Sequence, residues 1–305
     1  MVSLAIWHKE RSHMNPSVSI IMPSYNQAPY LRDAIESILA QNRSDVECIV
    51  VDAGSTDETR DILRNYEPKI KFLSCPGLKQ SEVMNKGLEA AQGDIIGFLN
   101  ADDLYCHDTC DAVIRFFNDH PNVDMVYGDC GVIDQDGLTM MTNHEIAFHK
   151  ASYLFLAQFI SYPTVFFRRQ IFLRIGKFDT SLDHAMDYDY WLKIANSGTI
   201  AHINRTFARF RWHPQSKSVL YNREATRECQ AIRIRHLGMS EKSIFTLIYC
   251  KFFWFLYKTR RVILKFILCK YRNSLPHPFA YYFWKKRSLS SKHLAGHVYS
   301  TSPHS

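Results

Sequence analysis

The chain has 305 residues, 46% hydrophobic and 13% aromatic, ample for one large α/β domain with an appendage or for two modest domains. Its formal net charge of +7 is unevenly divided: residues 241–305 hold 12 Lys and Arg against one acid, a net of +11, and the other 240 residues carry −4. That balance argues against nucleic acid as a partner, because the body of the chain would repel phosphates and no recognised binding motif accompanies the basic charge. Eight cysteines are scattered along the chain; Cys106 and Cys110 are close, but no second pair completes a zinc site, so reduced structural thiols are expected. Met1 to Asn15 is mixed and charged rather than a secretory signal, which points to a cytoplasmic protein and leaves the acceptor-like Asn42-Arg-Ser and Asn204-Arg-Thr without meaning.

In chain order, Val18 to Met22 reads as a strand, followed by a helix from about Pro29 to Ala40. Val46 to Val51 is a second strand, with a helix from about Asp57 to Tyr66 after it. Ile70 to Leu73 and a helix from about Ser81 to Ala91 repeat the unit, and Asp94 to Leu99 is a fourth strand. Strand, crossover helix, strand at this spacing predicts a mostly parallel, doubly wound sheet flanked by helices. Such sheets bind ligands at the carboxyl ends of their strands.

Polar clusters follow each of these strands. The first is Pro23-Ser24-Tyr25-Asn26, and the second is Asp52-Ala53-Gly54-Ser55-Thr56-Asp57. The third is Pro76-Gly77-Leu78-Lys79-Gln80-Ser81, with Asn85-Lys86-Gly87 inside the helix beyond it. The fourth is Asn100-Ala101-Asp102-Asp103. Singly, each cluster is explained by a turn or a helix cap. Together they suit one crevice, and two adjacent carboxylates at the end of a buried strand ask for a cation beside them.

Order and spacing of four stretches resemble the family 2 glycosyltransferases, with their nucleotide-diphosphosugar-binding GT-A fold. These are Pro23 to Asn26, Val50 to Asp57, Gly93 to Asp103 and Ala185 to Leu192, and the resemblance covers roughly residues 17–215. It implies a Rossmann-like transferase domain at 17–238, after an N-terminal extension at 1–16. It also implies a nucleotide-diphosphosugar donor, and Mn²⁺ or Mg²⁺ to offset charge on the leaving diphosphate. Asp102 matches the metal-binding end of the family's Asp-x-Asp motif, Asp103 takes a water-mediated or acceptor-side catalytic role, and Asn100 replaces the first Asp. Pro23, Ser24, Tyr25, Asn26, Asp52, Ser55, Gln80, Asn85, Asn100 and Ala101 are implied donor-nucleotide contacts. Ala53 stands where the family often has a second, base-reading Asp. In Met186-Asp187-Tyr188-Asp189, Asp187 aligns with the general base and Met186 replaces the usual preceding acid. Asp189 is the alternative base, and Asp187 can equally cap a helix whose apolar face is Tyr190, Trp191 and Ile194. His213, in Arg209-Phe-Arg-Trp-His213, is expected to reach the metal or the diphosphate. Displacement by an acceptor opposite the leaving group implies inversion at the anomeric carbon.

Residues 239–305 form a basic, aromatic tail. Ile244 to Tyr257 and Val262 to Cys269 are apolar but interrupted by Lys251 and Lys265, and neither reaches the ~20 residues that span a bilayer. Phe, Trp and Tyr among basic side chains suit a helix lying in the interface of an anionic membrane. A helical cap packed on the catalytic domain is the alternative. The expected activity is sugar transfer to a glycan or lipid-linked acceptor, with the enzyme peripheral at the inner face of the membrane. A processive synthase is disfavoured because Ala208-Arg-Phe-Arg-Trp212 lacks the Gln of that group's Gln-x-x-Arg-Trp motif. A non-catalytic scaffold would have no need of Asp102, Asp103 and Asp187 together.

Overall fold

The computed structural model describes residues 17–155 and 159–238, so the tail lies outside the described residues. The elements run β1 (Val18–Ser24), α1 (Ala28–Leu39), β2 (Val46–Asp52), α2 (Thr59–Tyr66), β3 (Lys71–Ser74), α3 (Gln80–Ala90), β4 (Ile95–Phe98), β5 (Leu104–Tyr105) and α4 (Thr109–Asp119). They continue as β6 (Met125–Ile133), β7 (Thr139–Asn143), α5 (Lys150–Phe155), a 3₁₀ turn (Tyr162–Thr164), β8 (Val165–Arg168) and α6 (Arg169–Ile175). The last are α7 (Met186–Ser197), β9 (Ile200–Arg211), α8 (Lys217–Leu220) and α9 (Asn222–His236).

The strands make one mixed sheet in the order β3-β2-β1-β4-β8-β6-β9-β5, with β7 added beside β6. The parallel, doubly wound part expected from the sequence is the β3-β2-β1-β4 half. Past β4 the partners are antiparallel, except that β6 runs parallel to β9.

Alternating side chains along the inner strands build a core on each face of the sheet. Val18, Ile20 and Met22 of β1 pack with Leu31, Ile35 and Ile38 of α1. Ile21, Ile49 and Val51 pack on the other face with Val83, Met84 and Leu88 of α3, and with Trp191 of α7. Each of these large apolar side chains is essentially excluded from water, worth about 1.5–3 kcal/mol apiece. Near the centre, Gly97 lets β4 lie close under Phe166: a Cβ there would stand 2.5 Å from the Phe166 ring and 2.8 Å from Ile20. The effect of this packing is to align the ends of β1, β2 and β4 along one edge.

Candidate active site

The loops after β1 and β2 are tied to each other. Asn26, held at φ +52°, donates its main-chain N–H to Ser55 Oγ at 2.9 Å and accepts from the Thr56 N–H at 2.8 Å. Gln27 and Ala28 donate to Thr59 Oγ1 (3.0 Å) and Asp57 Oδ2 (3.1 Å). Asp52, fully buried, accepts from the N–H groups of Gly54 (3.1 Å) and Ser55 (3.0 Å) and from the Ser55 hydroxyl. Gly54 stands at φ +98°, where a Cβ would strike Pro76, so the second loop presses against the third.

These loops form one wall of a cavity of about 760 Å³. Of the residues expected as donor contacts, Pro23, Ser24, Tyr25, Gln80, Asn100 and Ala101 line it. Tyr162, Asp183, His184, Asp187 and Lys217 line it as well. Ser24 Oγ is buried in this wall without a hydrogen-bond partner. Asp102 also faces the cavity, with its Oδ2 3.0 Å from His213 Nε2. The His213 ring is supported by Tyr30 at 5.1 Å.

The chemistry of this donor set fits a divalent cation: a carboxylate and an imidazole suit Mn²⁺, and the carboxylate suits Mg²⁺. Among the described residues no cluster of three or more His, Cys, Asp or Glu could hold an ion. Two protein donors would therefore need phosphate oxygens and water to complete the shell.

Other expected contacts stand behind the wall. Asp52, Ser55 and Asn26 do not line the cavity; the Asp52 carboxylate, the Ser55 hydroxyl and Asn26 Oδ1 are engaged within the loops described above. Asn85, buried in α3, holds the main chain of Phe178 from both sides, donating to its carbonyl (3.1 Å) and accepting its N–H (2.9 Å). It is a clamp between α3 and the segment before α7 rather than a nucleotide contact.

Asp103 is fully buried and accepts from the Arg211 N–H and from Asn100 Nδ2, both at 2.9 Å. Burial and the neighbouring Asp102 push its carboxyl well above the ordinary range. It shapes the 100–103 turn and has no face toward an acceptor. Arg211, only 2% exposed, braces the same turn from below: its Nε donates to the Asp102 carbonyl at 2.9 Å and its guanidinium lies over Tyr30.

The two acids at the start of α7 have different surroundings. Asp187 is half-buried, lines the cavity and accepts from the Tyr188 N–H at 2.8 Å. Asp189 points the other way and is fully buried, paired with Lys193 (2.9 Å), Arg235 (2.6 Å) and His236 (2.9 Å). Burial alone would raise its carboxyl, but bonds from His236 and Lys193 with the charges of Lys193 and Arg235 prevail and hold it at about 2. As a base it would be weak and out of reach, so the alternative of Asp189 over Asp187 is set aside.

The sequence reading passed over Lys217, which follows His213 by four residues. Its Nζ donates to Gln80 Oε1 at 2.8 Å and to the Asp183 carbonyl, joining the strap after β9 to the start of α3. It also passed over Tyr221, which sits against the His184 ring at 4.9 Å and also lines the cavity. The six described cysteines are free thiols, and no helix among the described residues is long and apolar enough to cross a membrane.

A family model described as Glycosyl transferase family 2 matches residues 19–179. An uncharacterized glycosyltransferase of Rickettsia typhi is 31% identical over 212 residues, covering 65% of this chain and 65% of that protein. Chondroitin synthase of Escherichia coli is 28% identical over 207 residues, covering 67% of this chain and 30% of the synthase. The chain therefore spans less than two thirds of the length of these relatives. Among solved structures, Staphylococcus aureus TarS 1–349 in complex with UDP-GlcNAc matches with a TM-score of 0.59 at 18% identity, over 74% of this chain and 68% of that one. The mannosyltransferase PcManGT of Pyrobaculum calidifontis, in complex with GDP-Man and Mn²⁺, matches with a TM-score of 0.56 at 18% identity, over 94% and 87%. These likenesses are of fold, and that fold is the GT-A arrangement.

Proposed function

The chain belongs to glycosyl transferase family 2, and from that premise we propose that it is a metal-dependent, inverting enzyme. It moves a sugar from a nucleotide diphosphate to a hydroxyl of a glycan or lipid-linked saccharide. The observation that carries this reading is that Asp102 and Asp187, 85 residues apart in the sequence, face one cavity.

In the proposed reaction the acceptor oxygen bonds to the anomeric carbon as the bond from that carbon to the diphosphate oxygen breaks. Asp187 takes the acceptor's proton, a contribution of typically ~10²–10⁴-fold, and the nucleoside diphosphate leaves with the bonding electrons. Inversion follows from attack opposite the leaving group. Asp102 and His213 would hold Mn²⁺ or Mg²⁺, which supplies charge neutralisation at the diphosphate. Ser24, Tyr25, Gln80, Asn100 and Ala101 line the donor side, where Tyr25, 57% exposed, offers its ring to the base. Ala53, also on that wall, presents no carboxylate to a base N–H.

Similarity to a chondroitin synthase supports a role in polysaccharide synthesis. The body at 17–238 is proposed as the transferase unit, with the basic tail at 239–305 contacting an anionic membrane.

The test is thermal stabilisation of the full chain by UDP, GDP, UDP-N-acetylglucosamine and GDP-mannose, each with and without Mn²⁺. Ligand that binds the folded state raises the midpoint by mass action. One nucleotide should raise it in a Mn²⁺-dependent way, and Asp102→Ala should remove the Mn²⁺-dependent part. No shift with any of the four, or an undiminished shift in Asp102→Ala, overturns the reading.

A further inference from the structure

Helix α7 begins at Met186 after an N-cap of Ala185, which has no side chain to satisfy the free N–H groups there. Glu228 of α9 meets the N–H of that N-cap and of the two residues before it. Glu228 Oε1 accepts from the Asp183 N–H at 3.0 Å, and its Oε2 accepts from the N–H groups of His184 and Ala185, both at 2.8 Å. One carboxylate thus gathers three consecutive main-chain donors just before the turn that carries Asp187.

The rest of α9 grips the same turn beyond Asp187. Arg233 Nε donates to the Tyr188 hydroxyl at 3.2 Å, and Arg235 and His236 hold Asp189. Asp187 therefore lies between two points of attachment to α9, a helix outside the residues matched by the family model.

We propose that Glu228 is a positioning residue for Asp187: it fixes the approach of the chain into α7, and its negative charge offsets the positive end of that helix so that Asp187 keeps the strength of a base. This rests on the assignment of Asp187 as the proton acceptor made above.

The charge argument follows from the surroundings. Tyr153 of α5, Tyr162 of the 3₁₀ turn, Lys217 of α8 and Cys229 of α9 lie within electrostatic reach of Asp187. Burial raises the two tyrosines and the cysteine, so they stay neutral. Asp183 is paired with Lys79 at 3.0 Å, and His184 lies against Tyr221. Lys217 and the aligned N–H groups of the helix start both favour an ionised Asp187, and too much of either makes a poor base. Glu228 is the opposing charge.

The experiment compares full-length wild type, Glu228→Gln, Glu228→Asp and Asp187→Asn. Release of UDP from UDP-N-acetylglucosamine and of GDP from GDP-mannose is followed with Mn²⁺ and water as acceptor, across pH. Thermal midpoints are taken with and without each nucleotide. Glu228→Gln should keep the nucleotide-induced stabilisation, lose about tenfold or more in kcat through misplacement of the base, and shift the acidic limb of the profile down by about half a pH unit. Glu228→Asp, which keeps the charge on a shorter arm, should lower kcat and leave the limb in place.

A wild-type kcat and limb in Glu228→Gln overturn the inference. So does a kcat that falls only in step with the midpoint and the nucleotide response while the limb stays put, since that is how a merely structural residue behaves. Wild-type turnover in Asp187→Asn instead overturns the base assignment, whatever the Glu228 variants do.

Discussion

Replacing Asp189 with Asn tests whether the second acid of α7 serves stability rather than chemistry. Its carboxylate is fully buried between Lys193, Arg235 and His236. Against the burial that would raise it, these partners bring it from an ordinary value near 3.8 to about 2, a preference for the charged form worth roughly 2.5 kcal/mol. Arg235 is 49% exposed and partly solvated in either case, so about 2 kcal/mol is expected to remain. Because the folded value lies below the unfolded one, this stabilisation is fully present above about pH 5 and is lost as pH falls toward 2. Urea unfolding at pH 7 should show Asp189→Asn less stable by about 2 kcal/mol, a fall of roughly 4–8 °C in Tm for a domain of this size. The gap to wild type should close as the wild-type carboxyl protonates at low pH. Stability within about 0.5 kcal/mol of wild type at pH 7, or a gap independent of pH, refutes the reasoning.

Two other substitutions probe groups near the cavity. Burial pushes the Glu145 carboxyl up to about 7, with a Ser161 bond opposing and Asp129 assisting. Its contribution to stability is therefore present below about pH 4.5 and lost as pH rises through 7, so Glu145→Gln should match wild type near pH 4.5. At pH 8 it should melt higher by a few degrees, from roughly 1–2 kcal/mol after discounting for its partial exposure; equal melting at pH 8 would sink this. Asn85→Ala should cost about 2–4 kcal/mol by stranding the buried Phe178 amide and carbonyl. Nucleotide-induced stabilisation should stay intact in that variant, and its loss would return Asn85 to the list of donor contacts.

The repeating strand-helix units were legible because alternating apolar residues and loop clusters are local signals, and the observed elements fall within one or two residues of those expected from Val18 to Leu99. The pairing of β6 with β9 was not legible, since it joins residues some 75 positions apart and no short pattern encodes it. At the site, Asp102 stood out in the polar cluster after β4 and Asp187 through the family resemblance, and both face the cavity. Asp103 and Asn85 were readable as polar residues in the right places but not as buried ones. The direction of each side chain is set by contacts with Arg211 and Phe178, each about a hundred residues away. Glu228 left no mark for the same reason: a glutamate in the polar sequence of α9 looks like any solvated residue until the fold brings three amides to it.

The cross-ties between the loops after β1 and β2 have a consequence for how a donor would arrive. Four hydrogen bonds between Asn26, Gln27 and Ala28 on one side and Ser55, Thr56, Thr59 and Asp57 on the other make the two loops one solid piece before anything binds. The freedom those residues lose was lost when the chain folded, so a nucleotide meets a wall already in its final form. On that side of the cavity, free and loaded protein should superimpose closely, and calorimetry should find little entropic penalty for ordering the loops. Structural adjustment would then fall to the segment after β9, which Lys217 ties to Gln80 and Asp183.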